Sequence, residues 1–409
     1  MAAGGVRRDG SGAAHGAFGR AAPDSHKNAG AGTVTRVMSP QDATSTPPAS
    51  AEQLSTGLPE AVSVVMPVRN EERYIAESVS RVLGQRYDGE LELVIALGPS
   101  RDRTAEVVHR LAESDSRIKV IGNPTGQIAA AINLALAASR YPVVVRVDGH
   151  SMLPDGYIQT AVDTLRETGA VNVGGMMAAA GITPFQQAVA WAMTSPFGVG
   201  AAKNHTGGEA GPADTAYLGV FRRAAIEQAG GYNEDFKVAE DWELNHRIRQ
   251  AGGLIWFQPA LRVTYRPRAT VAELGIQYFR YGRWRRAVSR EHGGTINLRY
   301  LAPPVAVALV MAGMLIGLAG VGGLAAGGWP GWLTLGFVLP AGYLAGVLAL
   351  AARTARQLPL RVASRVPIAL ATMHMCWGAG FLTSPRHLIP ASSRPAGDAA
   401  GSLAASSRS

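Results

Sequence analysis

Short apolar runs alternate with stretches of helical spacing through the first half of the chain. The runs at 61–66, 91–97, 118–121 and 143–147 are dominated by Val, Ile and Leu, and each stops at Pro, Gly or Asp. Runs this short, bounded by turn residues, predict buried strands. Helical spacing occupies 71–84, 102–112 and the Ala-rich 127–139. Strands alternating with helices at this interval predict an α/β domain with a doubly wound, mainly parallel sheet. The pattern continues with a helix after 155, strands at 171–175 and 214–222, and helices at 223–229 and 240–251. Gly252 and Gly253 close the last of these helices.

The stretch 195–213 is rich in glycine and has no periodicity, which predicts a functional loop, read as a flap over an acceptor site. Residues 1–57 are rich in Gly, Ala, Ser, Thr and Pro, and predict a disordered tail. Residues 266–299 mix arginines with aromatics, the composition of interfacial helices on an anionic membrane surface. Three apolar, uncharged segments follow, at 301–326, 332–352 and 366–383. Each has the length of a transmembrane helix. The expected division is a tail at 1–57, a catalytic domain at 58–265, interfacial helices at 266–299, membrane helices within 300–385 and a tail at 386–409.

Arg353, Arg356, Arg361 and Arg365 lie between the second and third segments, which puts that loop and the large domain on the cytoplasmic side. A re-entrant third segment is the alternative topology. The formal charge of +9 admits nucleic acid, membrane or acidic substrate as partner; no nucleic-acid motif accompanies it. Cys376 is the single cysteine, so an intrachain disulfide is excluded. Residues 1–30 contain no apolar segment of the kind a signal peptide needs.

Candidate chemistry gathers where the fourth strand run stops, at Asp148-Gly149-His150. Ligands of open α/β sheets bind beyond the carboxyl ends of the strands. An oxygen ligand and an imidazole there can hold Mg²⁺ or Mn²⁺, with phosphate and water completing the shell. A plain turn is the alternative reading. Glu240 and Asp241 open a helix, where acids also serve simply to favour the positive end of the dipole.

Taken in order, Pro67-x-x-Asn70-Glu71, Asp148-x-His150, Gly230-Gly231 and Glu240-Asp241 resemble the family 2 glycosyltransferases of the GT-A fold. The likeness covers about 60–290, and is greatest to bacterial membrane-bound enzymes of succinoglycan-type exopolysaccharide synthesis. It implies a nucleotide-diphosphate sugar donor, and Asp148 and His150 as metal ligands. Asp241 is implied as the base, in a motif with Glu240, and Pro67, Asn70 and Glu71 as nucleotide contacts. Two departures matter. The family's acidic run after strand two reads Leu97-Gly98-Pro99-Ser100 here, so specificity for the base is not carried over; Asp102 survives, as a nucleotide contact or a helix cap. The Q-x-x-R-W motif of processive synthases appears as Gln277-Tyr278-Phe279-Arg280-Tyr281, which makes Gln277 and Arg280 candidate diphosphate contacts or parts of a basic interfacial helix.

The expectation is therefore an inverting transferase of the bacterial inner membrane, multi-pass, with a lipid-linked or glycan acceptor and no nucleic acid. The rivals are a processive polysaccharide synthase, a non-catalytic membrane scaffold and, more weakly, a nucleotidyltransferase.

Overall fold

The computed structural model describes residues 60–200, 202–327, 331–354 and 356–389. The expected tail at 1–57 lies outside these residues, as does most of 386–409. In chain order the elements begin β1 (Val62–Val68), α1 (Ile75–Leu83), β2 (Leu91–Leu97), α2 (Thr104–Ser114), β3 (Ile118–Gly122), α3 (Ile128–Ala138), β4 (Val143–Arg146) and α4 (Tyr157–Thr168). Next come β5 (Asn172–Ala179), α5 (Pro184–Met193), α6 (Pro196–Val199), α7 (Lys203–Thr206), β6 (Gly211–Pro212), β7 (Tyr217–Arg222), α8 (Arg223–Gln228), α9 (Glu240–Gln250) and β8 (Ile255–Tyr265). The last are α10 (Val271–Glu291), α11 (Leu298–Ala325), a 3₁₀ turn (Gly331–Phe337), α12 (Val338–Thr354), α13 (Leu360–Ala363) and α14 (Val366–Leu382).

The eight strands form one sheet in the order β3-β2-β1-β4-β7-β5-β8-β6. The first four are mutually parallel, β7 runs antiparallel to both its neighbours, and β5 and β8 are parallel. The chain leaves β1 toward β2 and returns to its other side as β4. The edge between β1 and β4 is therefore the point where the winding reverses, the place such sheets keep for ligands.

Alternation along the strands divides the core. Val62, Val64, Met66 and Val68 pack with Ile75, Val79, Tyr157 and Ile158 on one face. Val65, Val94 and Val144 meet the alanines of α3, and Leu244 and Ile248 of α9, on the other. A strand buried on both faces needs an unbroken apolar run, which is why the sequence showed these strands plainly.

Two of the longer elements were not expected. β8 escaped because Gln258 and Pro259 interrupt its pattern; the β5–β8 register shifts between Gly174 and Met176, and this stretch of β8 bulges out. Gly175 belongs to that irregularity: a Cβ there would lie 1.7 Å from the Leu261 carbonyl oxygen. The other is α5, begun by a capping box of Thr183 with Gln186.

The segment 195–213, expected as an irregular loop, contains the one-turn helices α6 and α7 and the short strand β6. In the last part of the chain α11 and the 3₁₀–α12 segment are long and apolar enough to cross a membrane, with 17% and 11% of their most apolar windows buried. The segment expected as a third span is the 17-residue α14. Its Val366, Ala369, Leu370 and Met373 pack on α5 and on Leu274 and Tyr278 of α10. The two helices touch through their backbones: a Cβ on Gly282 would lie 1.9 Å from the Trp377 carbonyl oxygen.

Candidate active site

The loops after β1 and β2 are laced together. Asn70 accepts a hydrogen bond from the Arg101 amide at 2.8 Å and donates its own amide to Ser100 Oγ at 3.1 Å. The Glu71 amide donates to Thr104 Oγ1 at 2.7 Å, and the Glu72 amide to Asp102 at 3.3 Å. Asp102 also accepts from the amide and hydroxyl of Thr104, so its cap-like role and its place in the loop coincide. Asn70 holds this conformation at φ 57°, a left-handed backbone that asparagine tolerates. The result is an open cleft of 420 Å³ lined by Asn70, Glu71, Glu72, Arg73, Tyr74 and Asp102. Pro67 lies inside β1, paired with Ala96.

At the reversal point the loops after β1 and β4 meet. His150 Nδ1 lies 2.8 Å from Glu71 Oε1. A carboxylate on one ring nitrogen fixes the ring's orientation and leaves Nε2 as the free lone pair, the arrangement usual for metal-bound histidines. Glu71, expected as a nucleotide contact, thus serves His150 directly.

Beside this lies a charge that the sequence reading missed. Arg146, the last residue of β4, is buried; its Nη2 is 3.0 Å from Glu240 Oε1 and 3.4 Å from Asp148 Oδ1. Its guanidinium sits 5.9 Å from the Tyr232 ring centroid. Burial works against the charged form, yet Asp148 and Glu240 outweigh it and hold its pKa well above the ordinary value. Asp241 acts on it as well. Burial pushes the Glu240 carboxyl above the usual range, Arg146 opposing and Asp241 adding to the rise. Two carboxylates therefore share one buried guanidinium, and Asp241 adds a weaker field. The signal was present in the sequence: a lone arginine inside an apolar strand run.

Arg146 thus links Asp148, after β4, to Glu240 in the first turn of α9, and Asp241 is the next residue on that turn. Asp241 is part-buried in the first turn of α9, and its Oδ1 accepts a hydrogen bond from the Trp242 amide at 2.7 Å. Ala239, just before, is held at φ 67°, a strained backbone for alanine that aims this turn. His205, on α7, feels both Arg299 and Asp241; burial pushes its pKa down to about 4, so the ring is neutral at pH 7.

The synthase-like residues separate. Gln277 is buried on α10 and donates to the Tyr265 and Tyr281 hydroxyls at 2.9 Å each. Arg280 is exposed on the same helix. The motif's spacing therefore does not bring both side chains into the interior.

Among the described residues no three His, Cys, Asp or Glu side chains form a ready-made metal cage. The donor set still fits a hard divalent ion shared with a diphosphate: the Asp148 carboxylate and an imidazole oriented by Glu71.

Residues 63–230 match the model of the glycosyl transferase family 2. The succinoglycan biosynthesis protein ExoA of Rhizobium meliloti is 32% identical over 328 residues, covering 78% of this chain and 93% of that one. A Methanococcus voltae enzyme named as a dolichyl N-acetyl-α-D-glucosaminyl phosphate glucuronosyltransferase is 21% identical, over 62% of this chain and 83% of its own length. Among solved structures, the mannosyltransferase PcManGT of Pyrobaculum calidifontis, in complex with GDP-Man and Mn²⁺, has a TM-score of 0.50 at 20% identity, over 78% of this chain and 88% of that one. That likeness places the fold in the GT-A class expected from the sequence.

Proposed function

The chain belongs to the family 2 glycosyltransferases, and on that footing we propose an inverting enzyme that moves a sugar from a nucleotide-diphosphate donor to a lipid-linked acceptor. The observation that carries this reading is the Asp148–Arg146–Glu240 chain, which ties the diphosphate end of the cleft to the helix bearing Asp241. Asp148 and His150 would hold Mg²⁺ or Mn²⁺, which would neutralise the leaving diphosphate. Asn70, Glu71 and Asp102 line the cleft proposed for the nucleotide, Pro67 lies in β1 just before it, and Glu71 also orients His150. Asp241 takes the proton of the acceptor hydroxyl as its oxygen bonds to the anomeric carbon; the bond to the diphosphate breaks, and the diphosphate leaves with the electron pair. Glu240, buried against Arg146, positions the turn that carries Asp241.

Two helices of membrane-spanning length directly follow the catalytic layers, which supports a lipid-linked acceptor delivered at the membrane surface. We place the catalytic domain on the cytoplasmic side of a bacterial inner membrane, where Arg353, Arg361 and Arg365 also belong. The relative in succinoglycan biosynthesis and the dolichyl-phosphate relative support a role in surface polysaccharide assembly. The test incubates membranes containing the protein with a panel of radiolabelled nucleotide sugars and extracts the lipids. A sugar label in the lipid fraction is expected; label confined to water-soluble product would overturn the lipid-linked acceptor.

A further inference from the structure

Three consecutive residues in the first turn of α9 point three ways. Glu240 reaches Arg146 on the donor side, Asp241 stays open, and the ring of Trp242 is covered by Arg285 of α10. The Arg285 guanidinium lies 4.1 Å from the Trp242 centroid and 3.9 Å from that of Tyr300, in the first turn of α11. The residue is 7% exposed, and its Nη2 donates to the Thr295 carbonyl. Arg299 stacks on the same tyrosine at 4.7 Å and donates to its hydroxyl at 2.6 Å.

These two arginines lie near one another without a carboxylate partner among the described residues. Asp214, the acid that acts on Arg285, is engaged by Arg249 at 3.5 Å. The Nε atoms of Arg285 and Arg299, Nε1 of Trp242 and Nδ1 of His205 are buried and have no hydrogen-bond partner among the described residues. Gly200, at the end of α6, lies against this side: a Cβ there would lie 3.2 Å from Arg299 Cβ. Arg285 is buried and Arg299 half-buried; holding the two guanidiniums together here without a counter-ion is costly, and unpaired buried donors add to the cost. A small anion with several acceptor oxygens removes both penalties. Here α11 supplies a further constraint. It starts at this point and runs on with Leu301, Val305 and Leu309 exposed, a surface for an apolar tail.

We infer that Arg285 and Arg299 bind the phosphate or diphosphate of the isoprenoid-type acceptor, with its tail along α11 and its sugar hydroxyl toward Asp241. This rests on the lipid-linked reading above and names the residues that carry it out.

The test uses the full chain in phosphatidylcholine nanodiscs, titrated with farnesyl diphosphate, farnesol and inorganic pyrophosphate. Arg299→Gln and Arg285→Met are compared with wild type, and Mn²⁺ binding and melting temperature report an intact fold. Wild type is expected to bind farnesyl diphosphate tightly and farnesol and pyrophosphate weakly. Arg299→Gln is expected to lose about tenfold or more in farnesyl diphosphate affinity with Mn²⁺ binding unchanged. A stack that only ties helices together would lower the melting temperature and leave that affinity in place. Unchanged affinity in both variants overturns the site, as does pyrophosphate binding as tightly as the lipid diphosphate. Phosphatidylglycerol in the disc abolishing the signal would make it a headgroup site and overturn the acceptor assignment. Lipid-extract labelling remains the separate readout for the lipid-linked acceptor itself, so the two readings fail independently.

Discussion

The Arg146 guanidinium and the Glu240 carboxylate meet at 3.0 Å in the interior, 94 residues apart in sequence, each with a side chain 8% exposed. This pair joins the end of β4 to the start of α9 across the interior. Replacing Arg146 with Met leaves Glu240 buried and uncompensated. The expected cost is about 3–5 kcal/mol of stability, with much of it restored in the Arg146→Met, Glu240→Gln double variant. Chemical unfolding of the detergent-solubilised chain measures both; equal stabilities of wild type and the single variant would remove the coupling role.

Asp241→Asn keeps the shape of the first turn of α9 but cannot accept the proton. Turnover should fall about 10²–10⁴-fold while donor and Mn²⁺ binding persist. Near-normal turnover would show that another group is the base.

Glu71→Gln keeps a hydrogen-bonding group opposite His150 but loses the charge. Mn²⁺ affinity, read by electron paramagnetic resonance of the full chain, should drop roughly tenfold or more, the range for outer partners of metal-bound histidines. Unaltered Mn²⁺ binding would confine Glu71 to the loop lacing.

His205 is neutral when folded because burial pushes its pKa down to about 4, with Arg299 acting in the same direction. An unfolded histidine takes up its proton near pH ~6.5. Between those values the unfolded chain binds more protons, so stability falls as pH drops from about 6.5 toward 4. His205→Gln should lose less melting temperature than wild type over that interval in ligand-free protein. Parallel profiles for the two would place the acid sensitivity elsewhere.

Much of the catalytic layer was legible in the chain, for physical reasons that differ by element. Strands β1, β2 and β4 are buried on both faces and therefore read as unbroken apolar runs. Asp148 and His150 were visible because polar residues stand out where such an apolar run ends. β8 was hidden because a bulge around Pro259 breaks its pattern, and the pairing that restores it is supplied by β5, far away in sequence. The expected third span showed its apolarity but not its partners: α14 buries one face on α5 and α10. Composition cannot tell lipid from protein as the apolar neighbour.

By itself the sequence determined the α/β layering, the family and the residue types at the strand ends, because burial and turn chemistry are local requirements. Only the tertiary structure decided which charges meet. Arg146 with Glu240, Glu71 with His150, and Arg285 between Trp242 and Tyr300 are contacts between elements whose separation along the chain carries no signal. An ion pair or a stacked ring is fixed by where the sheet and helices place the side chains, and that depends on the packing of the whole domain.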